Sequence, residues 1–170
     1  MPRDTVDAIA GAVWEGRGQV DPLSVRLDEL PDLPPFGTTT PAEWDELNEL
    51  VETMLDPRAG ARGPRARRTL AEKHRKALPV LVNRLRTLDF STAEGNENGD
   101  QIQRLLRDIC GGKHYGWRYS TANEDVVHCR KAVRVWHGMI ADWALGTDAD
   151  WAALLGVEVA DIPDPDARSE

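Results

Sequence analysis

An apolar stripe runs without a change of phase from Leu70 to Leu88. Leu70, His74, Ala77, Leu78, Leu81, Val82, Leu85 and Leu88 recur three or four positions apart. That is the interval at which side chains stack on one face of an α-helix, whereas a strand would need every second residue. Pro79 stands inside the stripe. A proline there forfeits the hydrogen bond to the carbonyl four residues back, here Arg75, and crowds it, at a local cost of about 3 kcal/mol. Either one helix bends at Pro79 or two helices meet there. The unbroken phase favours the bent helix.

Other segments carry the same period. Thr40-Pro41-Ala42-Glu43 has the form of a capping box: the Thr40 hydroxyl accepts from the Glu43 amide and the Glu43 carboxylate from the Thr40 amide. Trp44, Leu47, Leu50, Val51, Met54 and Leu55 follow at helical spacing, and Asp56-Pro57 ends the helix. A loop is expected over 57–64. Ile102, Leu105, Leu106 and Ile109 predict a helix stopped by Gly111-Gly112. Its start is open between two readings. Gly95 and Gly99 fall on the face of Ile102, Leu106 and Ile109 and would admit a close neighbour, or Asn98-Gly99 is a turn.

Thr121 or Asn123 is expected to cap a long helix lined by Val126, Val127, Ala132, Val133, Trp136, Met139, Ile140 and Trp143. Gly138 either weakens it or admits a neighbour. Thr147 to Asp150 imitates a capping box for a last short helix with Trp151, Leu154 and Leu155 inside. Toward the N-terminus the pattern is weak. Val6, Ile9, Ala10 and Val13 suit a short helix, and Asp21-Pro22 starts another with Leu23, Leu27 and Leu30 on one face; Pro31, Pro34 and Pro35 then hold the chain extended. No run of alternating β-branched residues between turn signals occurs. The expectation is therefore an all-α fold: a small bundle of right-angle or antiparallel helical hairpins with no sheet. Residues 1–39 form a weakly ordered segment, 40–156 the helical domain and 157–170 an acidic tail.

The pattern T-L-x-x-x-x-x-x-A-L-P-V-L-V-x-x-L, Thr69 to Leu85, resembles the first helix of a HEAT-type (armadillo-like) repeat. The resemblance implies that Pro79 bends this helix, that Leu78, Leu81, Val82 and Leu85 are its core positions, and that a second helix packs antiparallel. It covers one repeat. The Asp that usually follows the first helix would be Asp89, two residues late, and no Arg follows until Arg104. No second copy recurs at about 40–47 residues.

Charge is distributed in blocks. Residues 1–56 hold 13 acidic and 3 basic side chains, residues 57–90 hold 2 and 10, and residues 136–170 hold 8 and 1, within a net charge of −8. The basic segment 58–76 could grip an anionic partner, with Arg65, Arg67, Arg68, Lys73 and Arg75 as candidate anion ligands. The alternative is that the acidic ends fold back over it. An acidic sequence pI near 5.0 is not the footprint of a nucleic-acid domain.

No catalytic constellation is present. Cys110, His114, His128 and Cys129 invite a zinc reading, but neighbours such as His128 and Cys129 point about 100° apart on a helix. Cys110 lies at a helix C-terminus, where the helix dipole opposes a thiolate. His74 reads as a packing residue at the edge of the core, His137 as exposed beside Trp136. The remaining candidate is the loop GGKHYGWRYS. Its Lys113, His114, Tyr115, Trp117, Arg118 and Tyr119 set rings beside cations, suited to stacking or to clamping an anion. The competing reading makes Trp117 and Tyr119 plugs of the core. The functional expectation is a non-enzymatic helical protein-interaction domain without cofactor or metal, whose partner is another protein. The alternative is a nucleic-acid or anionic-ligand binder using 58–76 and 113–119. An enzyme built from the loop with His128 or His137 is a third possibility. No apolar run suits a membrane span or signal peptide, so a cytoplasmic location is expected.

Overall fold

A computed structural model of the chain describes residues 26–36, 39–143, 148–156, 158 and 160. The expected helix over Val6–Val13, the Asp21-Pro22 start, the Thr147 cap and nearly all of the tail lie outside the described residues, as do the side chains of Trp143, Leu154 and Leu155. The fold is all-α. The helices are α1 Pro41–Leu55, α2 Arg62–Lys73, α3 Leu78–Leu85, α4 Ala93–Ile109, α5 Asn123–Trp143 and α6 Asp148–Leu155. No strand occurs among the described residues.

The Thr40 capping box forms with both of its bonds, Glu43 N–H to Thr40 Oγ1 at 3.2 Å and Thr40 N–H to Glu43 Oε2 at 2.9 Å. α1 buries Leu47, Val51, Met54 and Leu55. The following loop is shorter than expected, and α2 already begins at Arg62. α1 and α2 form an antiparallel hairpin: Lys73 at the end of α2 meets Glu46 near the start of α1 at 4.0 Å, and Lys76 just beyond meets Glu43 at 3.5 Å. α3 then runs back along α1, and Arg84 pairs with Glu52 at 2.6 Å. Acidic α1 thus covers part of the basic segment, so several of the opposite charges noted in the sequence neutralise one another within the domain.

Most of the apolar stripe is buried as expected, with His74 and Leu88 half-buried, but one bent helix does not carry it. α2 ends at Lys73. His74 takes φ +49° and ψ −120°, and a 3-10 turn over His74–Ala77 leads into α3. Pro79 sits in the first turn of α3, where no helical N–H is needed. The Arg75 carbonyl, which Pro79 cannot serve, accepts instead from the N–H of Leu78. Leu70, Ala77, Leu78, Leu81, Val82 and Leu85 are all sealed from solvent across the break. The phase of a stripe records which positions face the core, not whether the backbone between them is one helix. His74 is half-buried at the junction, and burial, then Arg75, holds its pKa below the usual histidine value.

α4 starts early. Thr92 caps it, its Oγ1 accepting from Gly95 N–H at 3.0 Å, so Gly95 and Gly99 are helical and Asn98-Gly99 is not a turn. Both glycines are places of close approach. A Cβ at Gly95 would lie 2.0 Å from the Asp89 carbonyl oxygen, and one at Gly99 would lie 2.7 Å from the Phe90 ring and 3.0 Å from Trp117. The helix ends as the glycine pair predicts. Gly111 has φ +66°, and Gly112 N–H reaches back to Arg107 O at 2.8 Å in a Schellman closure.

α5 is central to the core. Val126, Val127, Cys129, Ala132, Val133, Trp136, Met139 and Ile140 are buried on it. It begins at Asn123, so Ala122 rather than Thr121 or Asn123 holds the cap position, its carbonyl accepting from Val126 N–H. His137, expected to be exposed, is buried at 6 % exposure, with Nε2 2.7 Å from the Pro31 carbonyl oxygen. A polar partner 106 residues away makes that burial tolerable, and nothing local to His137 announces it. Residues 26–36 lie against the helices in irregular conformation. Leu27 and Leu33 are buried, and the Asn83 side chain donates to Leu33 O and accepts from Leu33 N–H at 2.9 and 2.7 Å. Phe36 meets Trp151 of α6 edge-on at 6.0 Å, while the Arg75 guanidinium lies 5.4 Å from the centre of the same indole.

Gly138 admits no neighbour: a Cβ there would meet nothing within 4 Å. Gly138→Ala is therefore expected to stabilise the protein by up to about 1 kcal/mol through helix propensity alone. A urea midpoint that fails to rise would show that the site is less open than its geometry indicates.

Candidate functional site

The loop between α4 and α5 divides its side chains between the core and the solvent. At its centre, Trp117 N–H closes a turn on His114 O at 3.0 Å. The two middle residues, Tyr115 at φ +49° and Gly116 at φ +78°, both lie in left-handed conformation, the pattern of a type I′ turn. Glycine adopts that conformation without strain. A tyrosine does so only when its surroundings hold it there. The surroundings are evident: the Tyr115 ring packs edge-on against Trp136 at 4.7 Å, and Trp117 against Phe90 at 5.1 Å. His114 Nδ1 accepts from Gly116 N–H at 3.1 Å, which tightens the turn further.

Two buried amides on α4 hold the loop from beneath. Asn96 Nδ2 donates to Phe90 O at 3.0 Å and to Ser120 O at 2.7 Å. Gln103 Nε2 donates to His114 O at 3.3 Å, while its Oε1 accepts from Trp136 Nε1–H at 2.8 Å. Gly99 lies between them in sequence, and Trp117 covers it. From α5, Cys129 Sγ donates to Arg118 O at 3.0 Å. None of Asn96, Gln103 and Cys129 was singled out from the sequence as a support of the loop. The available signal was polar residues at 96 and 103 on the apolar face of α4, bracketing Gly99 at helical spacing.

Of the six loop residues expected to form a site, Tyr115 and Trp117 are half-buried anchors. Lys113, His114, Arg118 and Tyr119 are exposed. Tyr119, at 61 % exposure, is the exposed large hydrophobic residue among those described. The core-plug reading therefore describes Trp117 but not Tyr119. Arg118 pairs with Asp125 at 3.2 Å, and the Ser120 hydroxyl, then Arg118, holds the Asp125 carboxyl below its usual range. His128, half-buried on α5 near Gly116, is held below the ordinary histidine pKa by burial, then by Arg118 and Lys131. The exposed side of the loop is thus cationic and aromatic, with an acidic residue at its edge.

The basic segment 58–76 is partly used up within the fold. Arg67 pairs with Asp108 of α4 at 2.6 Å, Lys73 with Glu46 and Lys76 with Glu43, while Arg75 lies over Trp151. Arg58, Arg62, Arg65 and Arg68 are exposed. The five candidate anion ligands do not converge: Arg65 and Arg68 face solvent, and Arg67, Lys73 and Arg75 are each engaged by another part of the chain.

The cysteines are protonated packing groups. Burial pushes the Cys110 thiol up to about 12 and Cys129 up to about 11, far from a nucleophile's range. Among the described residues no group of three or more His, Cys, Asp or Glu side chains is placed to hold a metal ion. No helix among them is long and apolar enough to cross a membrane. No family model matches the chain, and neither the curated proteins nor the solved structures compared with it include a match.

Proposed function

We propose that this chain is a non-enzymatic helical protein-interaction domain, and that the loop 113–119 is its contact surface. The observation that carries the reading is Tyr119, exposed on a loop whose backbone is fixed by buried partners on α4 and α5. A pre-ordered loop loses little conformational freedom on binding. Tyrosine and arginine are the side chains that most often dominate the energy of protein interfaces, and here Arg118 and Tyr119 stand side by side. Lys113 and His114 suit a partner with acidic residues around a ring-sized recess. The setting is cytoplasmic in this reading, in keeping with two unpaired, buried thiols.

The resemblance of Thr69–Leu85 to a HEAT-type helix belongs to the same proposal. In the α1–α2 hairpin Thr69 belongs to the second helix, whereas the resemblance places it in the first, so that hairpin does not speak for it. The break at His74, five residues before Pro79, departs from the pattern.

Capture from the source cell on immobilised wild type and Tyr119→Ala tests the reading. We expect a protein retained by the wild type and reduced about tenfold or more by Tyr119→Ala, the loss of one strong interface side chain. The melting temperature should stay unchanged, because Tyr119 is exposed. Equal retention by the two proteins would sink the idea. The exposed Arg58, Arg62, Arg65 and Arg68 favour a second reading, in which the basic segment binds nucleic acid. That requires oligonucleotide binding that falls steeply with salt and weakens when Arg65 and Arg68 are replaced by Ala.

A further inference from the structure

The arginines that pair within the fold leave others that do not. Arg58, Arg62, Arg65 and Arg68 are exposed, and their guanidinium groups have no ion-pair partner among the described residues. No Asp or Glu stands between Asp56 and Glu72 to neutralise them. We propose that this row is a sequence-independent contact for the phosphate backbone of a nucleic-acid duplex, which rests on the second reading above and narrows it.

Gly63, Ala66 and Leu70 turn one side of α2 into the core, so Arg62, Arg65 and Arg68 project from the other. They stand three residues apart, about 4.5 Å of helix axis at each step. Arg58 stands in the turn ahead of the helix, its backbone N–H held by Asp56 Oδ1 at 2.8 Å. The neighbouring α4 adds a further surplus. Asp108 takes Arg67 at 2.6 Å and Arg107 at 3.6 Å, so one carboxylate faces two guanidinium groups. Acidic α1 does not cancel the row, because its Glu43, Glu46 and Glu52 are engaged by Lys76, Lys73 and Arg84. Carboxylates farther away count for little at physiological salt, where screening acts over about 8 Å. An acidic pI for the whole chain is therefore compatible with a basic face on α2.

Guanidinium forks match phosphate oxygens two at a time. A duplex presents one phosphate charge per about 1.7 Å of its axis, so each of the four arginines finds a phosphate within its reach. Single strands are held in large part by aromatic side chains on which bases stack. The row has none: Tyr119, the exposed large hydrophobic residue, belongs to the loop after α4. Nor is there an exposed large apolar residue among the arginines to form the buried centre that a protein interface needs. Base reading is also denied to α2. The major groove, about 12 Å wide, admits one helix. α2 does not stand alone: Gly63 lies against the Thr53 and Met54 carbonyls of α1, a Cβ there being 3.7 Å from each oxygen, and Arg67 ties it to α4. It lies on the phosphates rather than in the groove, and phosphate contacts carry no direct sequence information.

The test titrates the full chain against fluorescent DNA: two short duplexes of unrelated sequence and one of their single strands, with polyglutamate as competitor. Both duplexes should bind alike, and the single strand more weakly. Three or four neutralised phosphates give a log–log salt slope of about −2.7 to −3.6, so affinity should fall roughly 40–150-fold between about 50 and 200 mM salt. Arg65→Gln with Arg68→Gln should weaken the duplex about tenfold or more and reduce the slope by about 2. Arg58→Gln with Arg62→Gln is an independent pair with the same expected result, and it decides the matter if the first pair disturbs α2. Tyr119→Ala should leave duplex binding unaltered, which separates the row from the loop. A tighter single strand, or a marked preference for one duplex, would overturn the proposal while nucleic-acid binding stands. No binding of any strand up to roughly 0.1 mM, the weak end of non-specific affinity, would overturn both. Displacement by polyglutamate at equal charge would assign the row to an acidic protein instead, and unchanged slopes in both double variants would place the contact elsewhere.

Discussion

Trp136→Ala is expected to destabilise the protein by roughly 3–5 kcal/mol, the range for truncating a large aromatic side chain in a core. For a chain of this length that lowers the melting temperature by roughly 6–20 °C. Three losses combine. The indole is completely buried, so its removal leaves a cavity. Gln103 Oε1, itself buried, loses the indole N–H that satisfies it. Tyr115 loses the ring on which it is held in left-handed conformation. Trp136→Phe separates the contributions: it keeps most of the apolar bulk and removes the N–H, and should cost about 1–3 kcal/mol. Urea denaturation measures both. A Phe variant as stable as the wild type would show that the Gln103–Trp136 hydrogen bond contributes nothing. Loss of stability in the Ala variant should come with loosening of 113–119, read as faster amide exchange at Trp117, whose N–H closes the turn.

Gly95→Ala should cost about 3 kcal/mol, at the upper end of what overpacking usually does. Ordinarily this substitution inside a helix gains up to about 1 kcal/mol from propensity. Here the added carbon would stand 2.0 Å from the Asp89 carbonyl oxygen and 2.7 Å from its carbonyl carbon. The obstacle is backbone, not the tip of a side chain. It can retreat only if the Asp89–Thr92 turn opens, and that turn is closed by Thr92 N–H and Oγ1–H on the same Asp89 carbonyl at 3.3 and 2.9 Å. Moving Thr92 also displaces the cap of α4, worth about 1 kcal/mol by itself. Gly138→Ala is the matched comparison, since the same chemical change then has opposite signs in two helices of one protein. Equal urea midpoints for Gly95→Ala and the wild type would refute the close approach.

What the sequence left unsettled has a common physical form. Gly95 and Gly99 were compatible with a turn or a close helix approach, because a glycine's role depends on what stands opposite it. Phe90 and Trp117 stand opposite Gly99, and the second comes from beyond the helix. His137 read as exposed because its neighbours in sequence say nothing of Pro31. The loop 113–119 offered rings and cations without showing which face inward. That division depends on Asn96 and Gln103, whose bonds to the loop reach 24 and 11 residues along the chain.

By itself the sequence determined the helical class, the buried face of Leu70–Leu85, the Thr40 capping box and the glycine stop after α4. Each rests on interactions that span one or two turns of chain: a period of 3.6 residues, a side chain reaching three residues to an amide, a backbone that must turn left-handed. Only the tertiary structure decided where that apolar face is interrupted, which polar side chains are buried, and which loop residues remain at the surface. The stripe from Leu70 to Leu85 keeps its phase because the core on one side requires it, while the backbone breaks at His74 because α2 and α3 must each lie along α1. A core imposes its demand on every residue that faces it, whatever the hydrogen bonding between them, and that demand is met by chain segments far apart in sequence.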